Sequence, residues 1–230
     1  MDNKRMIDIS HHQGNIDFKK LKDENVEYII LRISYGTKFI DRKFYEYLEQ
    51  CKNFDFKIGL YYYSLALNPE QIKKECDYIH NIIKNISFDL PLFIDIEENE
   101  FLSLDTKIQD EMLKTFKEYF ESKNYFVGLY CNLNFYKNCW SKEVKESIYL
   151  WVAKYGTEPI GINYGIWQFT SDSVIDGISD NTVDENIYKN NIDTVVKRFS
   201  NFKMLEYKKN NVKNEILLVM ELLGNIINQM

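Results

Sequence analysis

Asp95 and Glu97 stand one residue apart at the end of the apolar run Leu90-Pro91-Leu92-Phe93-Ile94. A near-continuous run of this kind reads as a strand buried on both faces. Alternation along it puts Phe93, Asp95 and Glu97 on one face and Leu92, Ile94 and Ile96 on the other. Two acids are therefore expected side by side at a strand's C-terminal end, with no Lys or Arg next to them. Like charge and partial burial both oppose double ionisation, so one carboxyl should titrate high. A protonated acid near neutral pH beside an ionised one can cleave an acetal. One delivers a proton to the departing oxygen, and the other steers a nucleophile or supports positive charge. Two bland arrangements fit the same pair: satisfaction by backbone N–H groups, or pairing with Arg32.

The first apolar segment repeats the pattern, with Asp8 and Ser10 on one face, Ile7 and Ile9 on the other, and His11-His12-Gln13-Gly14 following. A third case is Val183-Asp184-Glu185-Asn186, where Asp184 and Asn186 alternate against Glu185. Each acid alone would pass as a cap or turn residue. Together, three strands ending in acids suit a barrel, which converges its strand ends at one mouth. Tyr35, Tyr61 to Tyr63, Tyr130, Trp151 and Trp167-Gln168 sit near the same strand ends. Aromatic faces stack on the C–H faces of sugars, and Asn, Gln and Tyr bond hydroxyls, although for any one aromatic the core is the ordinary place.

The elements that must position these residues are eight short apolar runs: Met6 to Ser10, Tyr28 to Ser34, Lys57 to Ser64, Leu90 to Glu97, Tyr125 to Asn132, Ser147 to Lys154, Gly165 to Thr170 and Thr182 to Ile187. Helical patterns over Phe18 to Glu24, Arg42 to Phe54, Pro69 to Ile86 and Thr106 to Lys123 separate the early ones, and Pro69 suits a first helical turn. Strands alternating with helices mean a mostly parallel sheet. The later links, such as Tyr155 to Tyr164, are too short for helices, and a regular eightfold barrel takes about 250 residues. An α/β fold of irregular barrel type, with helices around its first half, fits the chain.

Composition excludes several classes. With 45% hydrophobic residues the chain can bury a full core, and its net charge of −6 opposes a general nucleic-acid binder. No window reaches the ~18 to 20 apolar residues of a membrane span, and the first ten residues lack the apolar stretch of a signal peptide. The chain is expected to be made soluble in the cytosol, with Cys51, Cys76, Cys131 and Cys139 reduced. Adjacent His11 and His12 make a poor zinc site, so neither a metal nor any other cofactor is expected. After residue 199 a Lys/Asn-rich stretch leads to Ile216, Val219, Met220, Leu223 and Ile227 at helical spacing. This tail, 200–230, reads as a linker and an amphipathic terminal helix. Its stripe suits docking on its own barrel first, self-association into a homo-oligomer second and membrane contact last.

The ordered motifs resemble those of the glycoside hydrolase family 25 muramidases, the Chalaropsis-type lysozymes. Asp8-Ile9-Ser10-His11-His12-Gln13-Gly14-Asn15-Ile16-Asp17-Phe18 is similar to the family's opening block, with Phe18 where Trp is common. Ile33-Ser34-Tyr35-Gly36, Gly59 to Ser64, Ile94 to Glu97, Val127 to Tyr130, Leu150 to Tyr155, Ile166 to Thr170, Gly177-Ile178-Ser179 and Val183 to Asn186 follow in family order. Tyr62 stands where His is frequent, and Glu185 where an apolar residue is usual. The resemblance implies a (β/α)5(β)3 TIM-like barrel over 1–199 that cleaves the β-1,4 bond between N-acetylmuramic acid and N-acetylglucosamine in cell-wall peptidoglycan.

Under that resemblance Glu97 is the general acid/base, Asp95 its partner, and Asp8 and Asp184 the remaining acidic positions. Tyr35, Tyr61, Tyr130, Trp151, Trp167, Gln168 and Asn186 become the substrate-binding candidates. Family members have been argued to use the substrate's acetamido group as nucleophile, and the adjacent acids are compatible with that. A wall-degrading domain without an export signal resembles phage endolysins, which act on the wall after release from the cytosol. Two rivals use the same residues: a phosphohydrolase with Mg²⁺ or Mn²⁺ on the four acids, and a glycan-binding barrel without turnover.

Overall fold

The computed structural model describes residues 4–178 and 182–189. In chain order the elements are β1 (Arg5–Ile9), a 3-10 turn (His11–Gln13), α1 (Phe18–Asp23), β2 (Val26–Tyr35), β3 (Phe39–Ile40), α2 (Phe44–Asn53), β4 (Lys57–Tyr63), α3 (Pro69–Ile83) and β5 (Leu92–Asp95). There follow α4 (Asn99–Leu102), α5 (Thr106–Glu121), β6 (Val127–Asn132), α6 (Leu133–Asn138), α7 (Lys142–Glu146), β7 (Tyr149–Ala153), β8 (Ile166–Ser173) and β9 (Val183–Tyr188). Helix starts follow the local chemistry. Asn68 caps α3 ahead of Pro69, and Asp105 and Ser141 accept from the first turns of α5 and α7.

Strands β1, β2, β4, β5, β6, β7 and β8 pair in parallel around a ring that β9 closes, antiparallel to both β8 and β1. Helices follow each of the first five barrel strands and none follows β7 or β8, which is the irregular (β/α)5(β)3 arrangement the sequence implied. All eight expected strands form, with shifted ends. The run taken as Leu90 to Glu97 is ladder only from Leu92 to Asp95, because Pro91 has no N–H to donate and Leu90 N–H bonds instead to Ile58 O at 2.9 Å. Glu97 therefore lies just past the strand, one residue after Ile96 N–H makes the last bond to Tyr130 O at 3.1 Å. β8 runs on to Ser173 through two register shifts, where a bulge breaks the two-residue alternation that marks a strand in sequence. The hairpin strand β3, paired to β2 through Ser34 and Tyr35, is too short to have shown in the pattern.

Barrel interior and outer layer follow from alternation. Phe93 on β5, Tyr130 on β6 and Trp151 on β7 all point inward, with the Trp151 ring centroid 5.1 Å from Phe93 and 4.4 Å from Tyr130. Gly128 makes room for Phe93: a Cβ there would stand 2.3 Å from a ring carbon. Between sheet and helices the apolar layer includes Leu31, Ile33, Tyr62, Ile94, Met112 and Phe116. Cys51, Cys76, Cys131 and Cys139 are free thiols buried in the fold. The 200–230 tail, its terminal helix and any self-association through it lie outside the described residues.

Because Phe93 is locked among Trp151, Tyr149 and Gly128, Gly128→Ala is expected to destabilise the fold by about 1–3 kcal/mol through overpacking. Urea denaturation checks it: the midpoint should fall with the m-value unchanged.

Candidate active site

The mouth at the C-terminal ends of the parallel strands collects all four acids. Asp8 on β1 lies directly opposite Asp184 on β9 in the antiparallel register. Asp95 ends β5, level with Tyr63 and Tyr130 on its two neighbours, and Glu97 sits two residues beyond. Exposure divides them. Asp8 and Asp95 are buried at 5% and 3%, whereas Glu97 and Asp184 are partly open to solvent. Among the described residues none of the four makes an ion pair with Lys or Arg.

The arginine that could have neutralised them is held elsewhere. Arg32 donates through Nε to Asp41 Oδ2 at 2.9 Å, and its Nη2 lies 2.6 Å from His11 Nδ1. Asp41 also accepts from the backbone N–H groups of His11 and Lys43. Its carboxyl is held below the usual range despite its burial by those bonds and the guanidinium. Arg32 thus reaches Asp95 only as a nearby charge that slightly offsets its burial.

Ionisation is suppressed throughout the cluster. Burial is the largest cause at every acid. Asp95 is raised further by Glu97, Asp8 and Asp184, and its Oδ1 is buried without a hydrogen-bond partner. Asp8 is raised by Asp184 against the pull of two amide donors, Gln168 Nε2 at 3.0 Å and Asn186 Nδ2 at 2.8 Å. Glu97 is raised by burial and Asp184, with a hydrogen bond from Asn132 opposing. Asp184 is pushed up to about 6 by burial and Asp172.

Aromatic candidates separate by face. Tyr61 lies half-buried beside the acids, edge-on to Trp151 with 5.9 Å between ring centroids. Tyr35 stacks on Tyr63 at 4.8 Å and on the exposed Phe39 at 5.6 Å, and its hydroxyl donates to Glu98. Tyr130, Trp151, Gln168 and Asn186 are buried and hydrogen-bonded among themselves. Trp167 points away, as alternation from Gln168 requires. It packs against Phe169 and donates its indole N–H to Lys154 O at 2.7 Å. Glu185 likewise faces outward, bound at both oxygens by Arg5.

Two site residues were not foreseen. Asn132 lies on the same face of β6 as Tyr130, two positions on, so alternation could have found it. Tyr155, more than half exposed just after β7, feels the charges of Asp184, Asp8 and Glu97; it carried no signal beyond its place in a motif.

The sequence profile described as Glycosyl hydrolases family 25 matches residues 7–178. The chain belongs to glycosyl hydrolase family 25. Within this family, the autolytic lysozyme of Clostridium acetobutylicum is 31% identical over 175 residues, 75% of this chain and 52% of the relative. The chain thus spans about half the length of that relative. The bacterial lysozyme of Streptomyces coelicolor superposes with a TM-score of 0.71 at 20% identity, covering 86% of this chain and 98% of that one. The catalytic domain of an endolysin from bacteriophage P40 of Listeria monocytogenes gives 0.69 at 23% identity, covering 85% and 96%. At those identities the two structures establish the shared fold.

Asp184 links this geometry to stability. Its proton affinity is raised from 3.8 to about 6 in the folded chain, so between those values the native state keeps a proton that the unfolded chain loses. Stability from this group falls as pH rises through that window. Asp184→Asn removes the penalty, and its thermal midpoint should exceed the parent's by more at pH 7 than at pH 4. Equal offsets at both pH values would contradict the assignment.

Proposed function

We propose that this chain is a muramidase, hydrolysing the β-1,4 bond between N-acetylmuramic acid and N-acetylglucosamine in bacterial peptidoglycan. The observation that carries the proposal is a solvent-reachable acid, Glu97, in a cluster that discourages its ionisation and, among the described residues, has no ion pair with Lys or Arg. Family membership supplies the substrate class. Glu97 delivers its proton to the glycosidic oxygen as the C1–O bond breaks, and the leaving sugar departs as a neutral alcohol; a water then supplies the new oxygen at C1 and returns a proton to the Glu97 carboxylate. Asp184, open to the same mouth, faces the positive charge that develops at C1. Burial and the neighbouring Asp184 raise the proton affinity of Glu97, so that its proton stays available for donation, while Asp95 and Asp8 lie sealed behind them. Asn132, bonded to Glu97 and capping α6 through Oδ1, orients the acid. The half-buried Tyr61 and the rim stack of Tyr35, Tyr63 and Phe39 offer faces for sugar rings. The domain spanning 1–199 works as the catalytic unit, in the manner of a phage endolysin acting on the wall after release.

Glu97→Gln keeps the shape and removes the transferable proton. It should lower the release of reducing ends from purified walls by about 10²–10⁴-fold, with wall binding and the thermal midpoint nearly unchanged. Activity close to the parent's would remove Glu97 from the role. In the parent, kcat/KM should decline as pH rises through the elevated Glu97 titration, because the deprotonated form has nothing to donate. Wall binding without new reducing ends would make the barrel a binding module, and loss of turnover in EDTA would assign the acids to a cation.

A further inference from the structure

Asp8 ends a chain of hydrogen bonds whose direction is fixed by chemistry. Trp151 Nε1–H donates to Asn186 Oδ1 at 2.7 Å, and Asn186 Nδ2 donates to Asp8 Oδ2 at 2.8 Å. An indole N–H cannot accept, so the amide oxygen of Asn186 must face Trp151 and its NH₂ must face Asp8. On the other flank the Tyr130 hydroxyl donates to Gln168 Oε1 at 2.9 Å, and Gln168 Nε2 donates to the same Asp8 oxygen at 3.0 Å. Two amides thus converge on Oδ2, and any proton Asp8 carries must sit on Oδ1. The pairing register explains the convergence, since Gln168 lies opposite Asn186 and Asp8 opposite Asp184.

Sealing decides what these residues can do. Trp151 is 1% exposed, Gln168 2%, Asn186 4% and Tyr130 8%, which leaves no open face for a sugar ring to stack on. Trp151 is further enclosed by Tyr61, Phe93 and Tyr130.

We propose that Trp151 and Tyr130 are positioning residues, acting through Asn186 and Gln168 to hold the Asp8 carboxyl group in one orientation opposite Asp184, and that none of these four contacts the glycan. This moves them from the substrate-binding set, where sequence placed them, into the support of one acid. The kinetic consequence rests on the muramidase reading; the effect on Asp8 itself does not.

The test is a carboxyl ¹³C NMR titration of the full chain, with Asp8→Asn assigning the Asp8 resonance, in Trp151→Phe and Tyr130→Phe. Trp151→Phe frees the Asn186 amide to turn away, and Tyr130→Phe leaves Gln168 Oε1 only the longer bond from the Tyr155 hydroxyl at 3.4 Å; each weakens a bond that favours the anion, so Asp8 should titrate at higher pH than in the parent. With soluble glycan chains, kcat should fall about tenfold while KM stays within twofold. An Asp8 titration unmoved in both variants overturns the proposal whether or not the parent is active. A raised KM at unchanged kcat also overturns it, by returning the residues to glycan contact. A parent that releases no reducing ends, with the Asp8 titration still moved, fails the muramidase reading alone. Should Trp151→Phe not fold, Tyr130→Phe loses only one hydroxyl and carries the same readouts.

Discussion

Competition for ionisation among four carboxylates crowded into a poorly solvated mouth is the constraint on which this barrel depends. Burial is the first cause of the raised proton affinity at Asp8, Asp95, Glu97 and Asp184 alike, and mutual repulsion adds to it at the first three. In an ordinary core such a cluster would be costly and would be relieved by a cation. Here no cation pairs with the acids among the described residues, and neutral amides donate to Asp8 and Glu97 while burial favours their protonated forms. The closing strand is what creates the crowding. β9 runs against β1, so Asp184 meets Asp8 across one rung of the sheet, while β5 brings Asp95 and Glu97 to the same end.

Rigid packing below the mouth serves that chemistry. Phe93, Trp151, Tyr130 and Tyr61 interlock inside the barrel, and Gly128 is small because the Phe93 ring occupies the space a side chain would take. The same indole that fills the interior carries the N–H that sets the Asn186 amide. Packing and polar order are therefore one structure, and the acids inherit their geometry from the apolar layer beneath them.

Much of this was legible in the chain. Apolar runs identified all eight barrel strands because buried parallel strands are apolar on both faces, and the D-x-E spacing set both acids beside one strand end. Alternation also separated Glu185 from Asp184 and Asn186. Which face looks inward was a different matter: periodicity gives opposition without direction, so Trp167 was grouped with the mouth although its ring lies outside. The fates of Tyr130, Trp151, Gln168 and Asn186 depended on pairing between strands distant in sequence, which no local pattern encodes. The β3 hairpin and the true start of β5 were missed for local reasons, two residues being too few for a pattern and Pro91 interrupting the ladder.

The tether on Arg32 has a consequence for the charge felt at the mouth. Asp41 and His11 hold a guanidinium within electrostatic reach of Asp95 without letting it bond. The bonds at Asp41 and His11 thus decide that the nearby positive charge lowers the proton affinity of Asp95 through space and does not pair with it. Position 41 is where the barrel keeps the Arg32 guanidinium at arm's length from the acids.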